Sequence, residues 1–421
     1  MSKTPKLIIT AHCDKAARSN NEDNCLVRAN LSQSEIQHVG DGAPYLSGEI
    51  DLDEAGCLLV VADGMGGMNA GEVASRIAVE AVSKFFDTQL DGVPDKSDGE
   101  IFRIIEEAIV YADENIKFDA EQNAEHSGMG TTIAILWLLN EKAYIGWCGD
   151  SRIYCYNTNT RKLKRLTHDH SLVQLLVDEG DITELEAFDH PKNNIIMRSL
   201  GDSVEKVKPE TLKAPIRLRT GDVFLLCSDG LYGALPDNPR ESKLPKDVNI
   251  ESVLTVAAKT FSPRQLDQWN TLLWDKAENL CHDNVTSILC HVSNCSYEPK
   301  SSDLLVIQED ADNKKRIKSL LSKLCVALLV VGLIVAGIVC FVKYRKPKAN
   351  IERNDVFTPA DTATIEHAIV DSPIVDVPNK KNGVVVERAQ VNKRHDSQDV
   401  QESSSDKEQG VKREDYVVLD D

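Results

Sequence analysis

The sequence predicts an α+β protein with one additional membrane-spanning helix, and three observations predict it. Short apolar segments typical of strands follow one another closely through the first 295 residues. Paired segments with apolar residues at helical spacing interrupt them, which favours layered sheets and helices over a doubly wound parallel sheet. Further on, Leu324–Val342 is a run of 19 residues without a charge. Since roughly 20 apolar residues span the hydrocarbon core of a bilayer, this run predicts the transmembrane helix.

Composition divides the 421 residues into four segments. We expect one large domain over residues 1–295, a charged juxtamembrane linker over 296–323, the transmembrane helix over 324–342, and an acidic, disordered tail over 343–421. Basic residues flank the apolar run on both sides, so the flanking charges do not decide its orientation. The chain has 67 acidic against 48 basic residues, a balance that disfavours nucleic acid as a partner or substrate.

Cysteine usage indicates a reducing compartment. The 11 cysteines lack CxxC spacing, and four of them lie inside apolar, strand-like runs: Cys57, Cys148, Cys227 and Cys290. They are typical of reduced core residues and not of zinc ligands or disulfides. The N-terminal stretch MSKTPKLIIT has too short an apolar run for a signal peptide. We therefore expect the large domain to fold in the cytoplasm.

The first two strands are predicted at Leu7–Cys13 and Cys25–Arg28. The polar segment DKAARSNNED between them is rich in turn-forming residues and includes Arg18, Glu22 and Asp23. The acidic and glycine-containing residues 29–56 then predict an exposed excursion.

The next stretch, CLLVVADGMGG, is a buried strand that ends in Asp63 and three glycines. Gly64 and the two glycines after Met65 can adopt positive φ angles, which would let a metal ion or a phosphate approach the main chain closely. An ordinary Asp-Gly turn between a core strand and a helix explains this stretch equally well, so both interpretations stay open at this point.

The remaining elements follow from apolar spacing and from turn residues. Helices are predicted over residues 69–86 and over Glu100–Ala120, and two short helices joined by Gly180 over 166–187. Later helices are predicted at Glu251–Phe261 and Leu266–Leu280. The remaining strands are predicted at Thr131–Leu139, Lys142–Trp147, Arg152–Tyr156, Val223–Cys227 and Val285–Val292.

Three more aspartates stand at strand ends. Asp150 follows an apolar run in IGWCGDS, Asp229 follows one in FLLCSDG, and Asp283 precedes one in HDNVTSILC. Alone, Asp150 would be ordinary hairpin-turn chemistry. Carboxylates that converge need cations, however, so the repeated pattern predicts a cation site. His168 and His170 could be ligands too, but a surface flap with an incidental histidine pair is favoured because no third ligand has suitable spacing.

Taken together, these blocks resemble the metal-dependent serine/threonine protein phosphatases of the PP2C family, in its bacterial form. The resemblance rests on Arg18, Glu22 and Asp23, followed in order by VADGMGG, SGMGTT, CGDSR, LTHDHS, LCSDG and HDNVTS. It implies a four-layer sandwich, in which two antiparallel β-sheets are flanked by helices, and a two-metal site at one sheet edge.

The resemblance also implies a role for each metal-site residue. Two Mn²⁺ or Mg²⁺ ions, with a possible third, would be held by oxygen ligands, which these hard ions prefer. By this resemblance, Asp63 would bridge the two ions and Gly64 would supply its carbonyl as a ligand. Asp229 and Asp283 would complete the carboxylate shell of the first ion, and Glu22 would hold a metal-bound water. Asp150, together with Asp229, would bind the third, weaker metal.

Arg18 matches the residue that grips the substrate phosphate, a task suited to a bidentate guanidinium. Two ions roughly 3.5 to 4 Å apart can share a water and lower its pKa, so hydrolysis would be direct, without a nucleophilic side chain. Met65 stands where many eukaryotic members have a histidine as candidate general acid. The general acid therefore stays unidentified, because His12, His126 and His170 have no motif support for the role.

The sequence thus predicts an active, membrane-anchored phosphatase of the cell inner or plasma membrane. Its catalytic domain would face the cytoplasm, with the C-terminal tail on the opposite side, and would act on phosphorylated proteins, the products of a Ser/Thr kinase. A pseudophosphatase or phosphoprotein-binding scaffold is the alternative from another class, and hydrolysis of small phosphoesters also stays open. The retained Asp63, Asp229 and Asp283 argue against the scaffold.

Overall fold

The computed structural model describes residues 4–33, 36–40, 44–65, 70–201, 206–237 and 248–295. All of them belong to one compact unit. The predicted linker, transmembrane helix and tail lie outside the described residues. Within the described ranges, no helix combines the length and the apolar character needed to cross a bilayer.

The described residues form fifteen strands and seven α-helices. The strands are β1 Lys6–Asp14, β2 Asp23–Arg28, β3 His38–Val39, β4 Tyr45–Leu46, β5 Ile50–Asp51, β6 Cys57–Met65, β7 Gly130–Thr131, β8 Ile133–Leu139, β9 Lys142–Cys148, β10 Arg152–Asn157, β11 Lys162–Arg165, β12 Glu210–Thr211, β13 Ile216–Arg217, β14 Asp222–Cys227 and β15 Val285–Asn294. The helices are α1 Ala70–Asp87, α2 Asp98–Gln122, α3 Leu172–Glu179, α4 Glu184–Phe188, α5 Asp229–Ala234, α6 Ile250–Thr260 and α7 Leu266–Ala277.

The strands pair into two sheets, and every pairing between them is antiparallel. The first sheet has the order β11-β10-β14-β15-β1-β4, with β5 also pairing with β1. The second has the order β12-β9-β8-β6-β2-β3, with β13 on β9 and β7 on β6. The predicted pair of antiparallel sheets is therefore confirmed.

The core lies in three apolar layers, and these make the molecule a four-layer sandwich. One cluster fills the space between the two sheets. A second lies between the second sheet and helices α1 and α2, and a third between the first sheet and helices α5, α6 and α7. Because both faces of the central strands are covered, their sequences are apolar throughout, as in the fully buried β8.

The helix predicted to begin at Glu100 begins two residues earlier, at Asp98. Two helix ends show which local residues set such boundaries. The Ser97 hydroxyl accepts from the backbone N–H of Glu100, whose side chain returns the contact, so α2 begins at a capping box. Gly180 ends α3 with φ 84°, a left-handed conformation that glycine adopts without strain. The predicted junction of the two short helices at Gly180 is therefore confirmed.

The structure differs from the predicted elements in three places. Residues 29–56 are not simply an exposed excursion, because Leu31 and Leu52 are buried and β3, β4 and β5 pair with the sheets. The short helix α5, which begins at Asp229, was not predicted. The short edge strands β11, β12 and β13 were not predicted, since two to four residues carry too weak an alternation of apolar and polar positions.

Candidate metal centre

Both sheets deliver aspartates to the same end of the sandwich. Asp63 lies near the end of β6, directly opposite Asp23 at the start of β2. In the other sheet, Asp229 follows β14 and Asp283 precedes β15, which are neighbouring strands. Asp150 lies in the turn between β9 and β10. The structure therefore gathers the four aspartates predicted for the site and adds Asp23.

The electrostatics of this end confirm that the five carboxylates are close together. Burial raises the pKa of Asp63 well above its usual range, and the charges of Asp23, Asp229, Asp150 and Asp283 raise it further. Burial also raises the pKa of Asp23 to about 7, and that of Asp229 to about 7. A buried cluster of carboxylates is unfavourable without a counter-charge, so this site suits a cation.

The backbone at Asp63 is fixed by two threonines. The backbone N–H of Thr132 donates to the Asp63 carbonyl over 2.8 Å, and the Asp63 N–H donates to Thr132 Oγ1 over 3.0 Å. The Thr131 hydroxyl donates to the same Asp63 carbonyl over 2.9 Å. Thr132 Oγ1 also lies 2.7 Å from Ser151 Oγ, next to Asp150. These bonds fix the Asp63 backbone independently of any ligand.

Gly64 sits where three chain segments meet. A Cβ atom at this position would lie 2.2 Å from the carbonyl oxygen of Gly71 and 2.5 Å from that of Glu22. The Gly64 N–H donates to the Glu22 carbonyl over 3.1 Å. The end of β6, the start of α1 and the loop before β2 can therefore approach each other only with glycine here.

Glu22 is held by a residue from the far end of the domain. Its backbone N–H donates to Asn284 Oδ1 over 2.9 Å, and Asn284 Nδ2 donates to the carbonyls of Lys15 and Asn20 over 3.0 and 2.7 Å. Burial raises the pKa of the Glu22 carboxyl, Arg18 lowers it, and Asp283 and Glu72 raise it further. The side chain therefore faces the carboxylate cluster.

Arg18 lies at the rim of the cluster. Its Nη2 is 2.7 Å from Asp283 Oδ2, and its Nε donates to the carbonyl of His282 over 3.2 Å. The hydrogen bond and the charge of Asp283 raise the pKa of the guanidinium. The side chain keeps 52% of its surface exposed. A guanidinium that is anchored at one edge and open to solvent at the other can contact a phosphate.

Asp150 contributes a buried carboxylate oxygen to the site. The residue is buried, and its Oδ1 has no hydrogen-bond partner within the described part of the chain. Burial raises its pKa to about 7, and the charges of Asp229 and Asp169 contribute. Arg152 lowers that pKa, but its guanidinium is bound by Asp169 over 2.6 Å and lies 3.6 Å above the Tyr232 ring centroid. The orphan oxygen therefore suits a cation ligand.

The residues present fit Mn²⁺ or Mg²⁺. As the side chains stand, no three His, Cys, Asp or Glu residues in the described ranges enclose a single ion. Hard ions of this kind retain several waters and need few protein oxygens. The buried negative charge, the orphan oxygen of Asp150 and the close approach at Gly64 meet that requirement.

Four residues that hold the site were not predicted as site residues. Asp23 Oδ2 accepts from the Ser228 hydroxyl over 2.6 Å, and Ser228 Oγ in turn accepts from the Thr286 N–H over 3.0 Å. Asn284 and Thr132 are the others. Ser228 and Asn284 directly adjoin Asp229 and Asp283 in the sequence, and this adjacency was the available signal.

The histidines lie in structural contacts. His170 is buried, and its Nδ1 accepts from the Gly149 N–H over 3.1 Å, so it braces the turn before Asp150. His168 is half exposed and contacts Asp178 over 2.7 Å. His12 stacks on Trp274 with ring centroids 4.1 Å apart, and His126 contacts Asp119. The prediction of a surface flap therefore holds for His168 but is wrong for the buried His170.

Comparison with known proteins gives matches of one kind. The family model described as protein phosphatase 2C matches residues 46–270. The serine/threonine phosphatase Stp of Listeria welshimeri is 38% identical over 188 residues, 44% of this chain and 71% of that protein. The protein phosphatase PhpP of Streptococcus pneumoniae is 35% identical over 194 residues, 46% of this chain and 74% of that one.

Solved structures of other proteins have a fold similar to that of this chain. The serine/threonine phosphatase of S. agalactiae matches with a TM-score of 0.52 and 28% identity, over 68% of this chain and 99% of that one. The serine/threonine phosphatase PstP of Mycobacterium tuberculosis matches with a TM-score of 0.50 and 28% identity, over 69% and 100%. Sequence and fold therefore both lead to bacterial serine/threonine phosphatases.

Proposed function

This chain belongs to the protein phosphatase 2C family and is a metal-dependent serine/threonine protein phosphatase. From this premise we propose that it uses a two-metal mechanism. We also propose that it is anchored in a membrane, with its active site in the cytoplasm. The observation that carries the mechanism is the gathering of Asp23, Asp63, Asp150, Asp229 and Asp283 at one end of the sandwich. Burial and the neighbouring carboxylates raise the pKa of the first four of them.

The metal-site residues would divide as follows. Asp63 would be a ligand of two Mn²⁺ or Mg²⁺ ions, and the Gly64 carbonyl would be a further ligand. Asp229 and Asp283 would complete the carboxylate shell of the first ion, and Glu22 would hold a metal-bound water. Asp150 and Asp229 would hold a third ion, an assignment supported by the orphan Asp150 Oδ1. When bound, such ions supply Lewis-acid activation of water and of phosphoryl oxygens.

The protein's own residues then orient the reaction. Arg18 would hold two oxygens of the phosphate through its exposed guanidinium edge while Asp283 fixes the opposite edge. Asn284 keeps the Arg18 loop on the site by bonding Lys15 and Asn20. Ser228 holds Asp23 behind Asp63. Phosphoserine and phosphothreonine in proteins would be hydrolysed by direct attack of water, because the described part of the site gathers carboxylates around Asp63 and uses the Ser228 hydroxyl to hold Asp23.

Substitution of the central carboxylates tests the mechanism. We expect Asp63→Asn and Asp229→Asn each to abolish turnover of a phosphothreonine peptide with manganese, and EDTA to inhibit the wild type. Asp275→Asn, an exposed change on α7, is the matched control and should keep full activity. Near-normal turnover in either site variant would contradict the two-metal mechanism.

A calorimetric measurement separates lost metal binding from lost folding. Manganese should raise the unfolding midpoint of the wild type and of Asp275→Asn, since a ligand that binds the native state stabilises it. The same addition should leave the midpoint of Asp63→Asn nearly unchanged. A wild-type protein that binds phosphopeptide and manganese without turnover would instead be the pseudophosphatase alternative.

The anchor would be Leu324–Val342, which has the length and composition to span a bilayer. With this helix as anchor, the catalytic domain would face the cytoplasm of a cell inner or plasma membrane, and residues 343–421 would lie on the opposite side. The nine described cysteines lie outside disulfides, and eight of them are buried, which supports a reducing compartment for the domain. Phosphoproteins made by a Ser/Thr kinase would be the substrates.

A further inference from the structure

A second cleft adjoins the carboxylate cluster. Its walls are the loop before β2, the start of β2 and the first turns of α1, and its lining includes Lys15, Asn20, Asn24, Glu72, Arg76 and Glu80. Asp23 lies on the same wall, so the cleft borders the site described above. The proposed mechanism uses none of the six side chains.

Asn24 is the strongest sign of a ligand in this cleft. The residue is only 8% exposed, and its Oδ1 is buried without a hydrogen-bond partner in the described part of the chain. The side chain packs against Gly40, where an added Cβ would lie 3.4 Å from Asn24 Oδ1. Because buried acceptors are almost always paired, an unpaired one in a cleft wall indicates a missing hydrogen-bond donor.

The charges around Asn24 indicate the chemistry of that donor. Arg76 lies 3.4 Å from Glu80, so these two charges offset each other on α1. Glu72, one turn earlier, accepts from the neutral amide of Asn20 over 3.0 Å. Its neighbour Gly71 adjoins Glu22, since a Cβ on Gly71 would lie 3.0 Å from the Glu22 carboxyl carbon, so Glu72 lies at the end of the cleft nearest the carboxylate cluster. With Lys15 and Asp23 included, three acidic side chains face two basic ones in the lining, and a cationic donor suits this position.

We propose that this cleft is a substrate subsite that binds a basic side chain next to the phosphorylated residue. The arginine or lysine would donate to Asn24 Oδ1 and face Glu72 while the phosphate is held at Arg18. An arginine has five N–H donors in a planar fork and can serve both acceptors at once. The proposal rests on the proposed phosphatase function, and it names the class of phosphoprotein that this site prefers.

The test is a peptide series in which only the neighbouring charge changes. Phosphothreonine peptides carry a single arginine at one of three positions on either side, with alanine and glutamate versions of each. We expect the wild type to show kcat/KM on the order of tenfold higher for the best arginine peptide than for its alanine partner, the size expected from one charge-assisted hydrogen bond. The ratio of the kcat/KM values for two peptides cancels any change in the chemical step that both peptides share.

Variants then assign the preference to the cleft. Glu72→Gln should bring the arginine-to-alanine ratio close to one, and Glu72→Lys should favour the glutamate peptide. Asn24→Leu should lower the ratio too, and its unfolding midpoint is measured because the residue is buried. Should Asn24→Leu fail to fold, the exposed Glu72 variants carry the test alone. Glu107→Gln, on the exposed face of α2, is the control and should keep the wild-type ratio.

The outcomes separate the two proposals. Equal wild-type rates on arginine and alanine peptides, or a preference that Glu72→Gln leaves intact, would overturn the subsite and leave the phosphatase function standing. No turnover of any phosphopeptide with manganese would overturn the function itself, and the subsite with it.

Discussion

At the scale of single residues, the site is held by neighbours that do not take part in the chemistry. Asp23 is fixed by Ser228, Glu22 by Asn284, and the Asp63 backbone by Thr132. Each of these hydrogen bonds joins a neutral group to a carboxylate or involves the backbone, so none of them depends on a bound metal ion. The carboxylates themselves repel one another, and their placement therefore depends on these supports.

Arg18 offers the sharpest test at this scale. We expect Arg18→Ala to raise KM for a phosphothreonine peptide on the order of tenfold or more, since a charge-assisted hydrogen bond contributes ~1.5 to 3 kcal/mol. Arg18→Lys should recover only part of the loss, because an ammonium group cannot contact the phosphate and Asp283 through one planar fork. Steady-state kinetics on all three proteins gives the answer. An unchanged KM in Arg18→Ala would exclude Arg18 as the phosphate-gripping residue.

At the scale of elements, the site forms because β6, α1 and the Arg18 loop meet at glycine residues, which allow their backbones to approach closely. Gly64 and Gly71 face each other there, and a Cβ on Gly71 would lie 3.0 Å from the Glu22 carboxyl carbon. Both sheets of the sandwich end at this point. The arrangement explains why a glycine follows the central aspartate: any side chain would separate the two segments that carry Asp63 and Glu22.

We predict that Gly64→Ala lowers kcat/KM for phosphopeptide by at least about tenfold, because its Cβ would lie 2.2 Å from a backbone oxygen that cannot move alone. The unfolding midpoint should fall too. Gly99→Ala is the matched control, because an added Cβ meets nothing within 4 Å there. Gly99 is the second residue of α2, where this change should stabilise by at most about 0.5 to 1 kcal/mol. Normal activity in Gly64→Ala would show that the close approach is not needed.

At the scale of the whole molecule, the two outer helical layers cover both sheets. Two histidines are buried in the described ranges, His170 and His291, and His291 makes the stability of the fold sensitive to pH. His291 lies on β15 under α7, with its ring 6.5 Å from that of Trp269. Burial lowers its pKa to about 4, against a partly opposing effect of Glu49. The native state therefore holds His291 neutral.

The sign of the pH effect follows from this lowered pKa. The unfolded chain binds a proton at His291 below pH about 6.5 and the native state only near pH 4, so stability from this residue is complete above 6.5 and falls as the pH drops toward 4. The loss should reach up to about 3 kcal/mol. We expect His291→Gln to reduce the fall in the free energy of unfolding between pH about 6.5 and about 4, measured by urea titration. His190→Gln, a partly exposed control, should not; identical curves for His291→Gln and the wild type would contradict the assignment.

Membrane topology is the other prediction at this scale. A cysteine placed at Ser404 should react with a membrane-impermeant thiol reagent in intact, outer-permeabilised cells, because the proposed helix carries the tail across the membrane. The cysteines of the catalytic domain should stay unlabelled until the cells are lysed. Labelling of the domain instead of the tail would overturn the cytoplasmic assignment and change the accessible substrates.

The sequence by itself determined the elements and the carboxylates. Apolar runs that end in Asp63, Asp150 and Asp229 predicted buried strands, and the structure confirms them, because burial on both faces leaves a local pattern that one segment shows alone. Local signals failed for β11, β12 and β13, where the neighbouring strand decides pairing.

Only the tertiary structure decided which residues support the site and which line its edge. Asn284 contacts Glu22 across 262 positions, and Ser228 contacts Asp23 across 205. No local spacing encodes such pairs, since they follow from the order of strands in two sheets. The same holds for Asn24, which is one more polar residue in the sequence. It becomes a candidate ligand-binding group only because the fold buries its oxygen in a cleft wall without a partner.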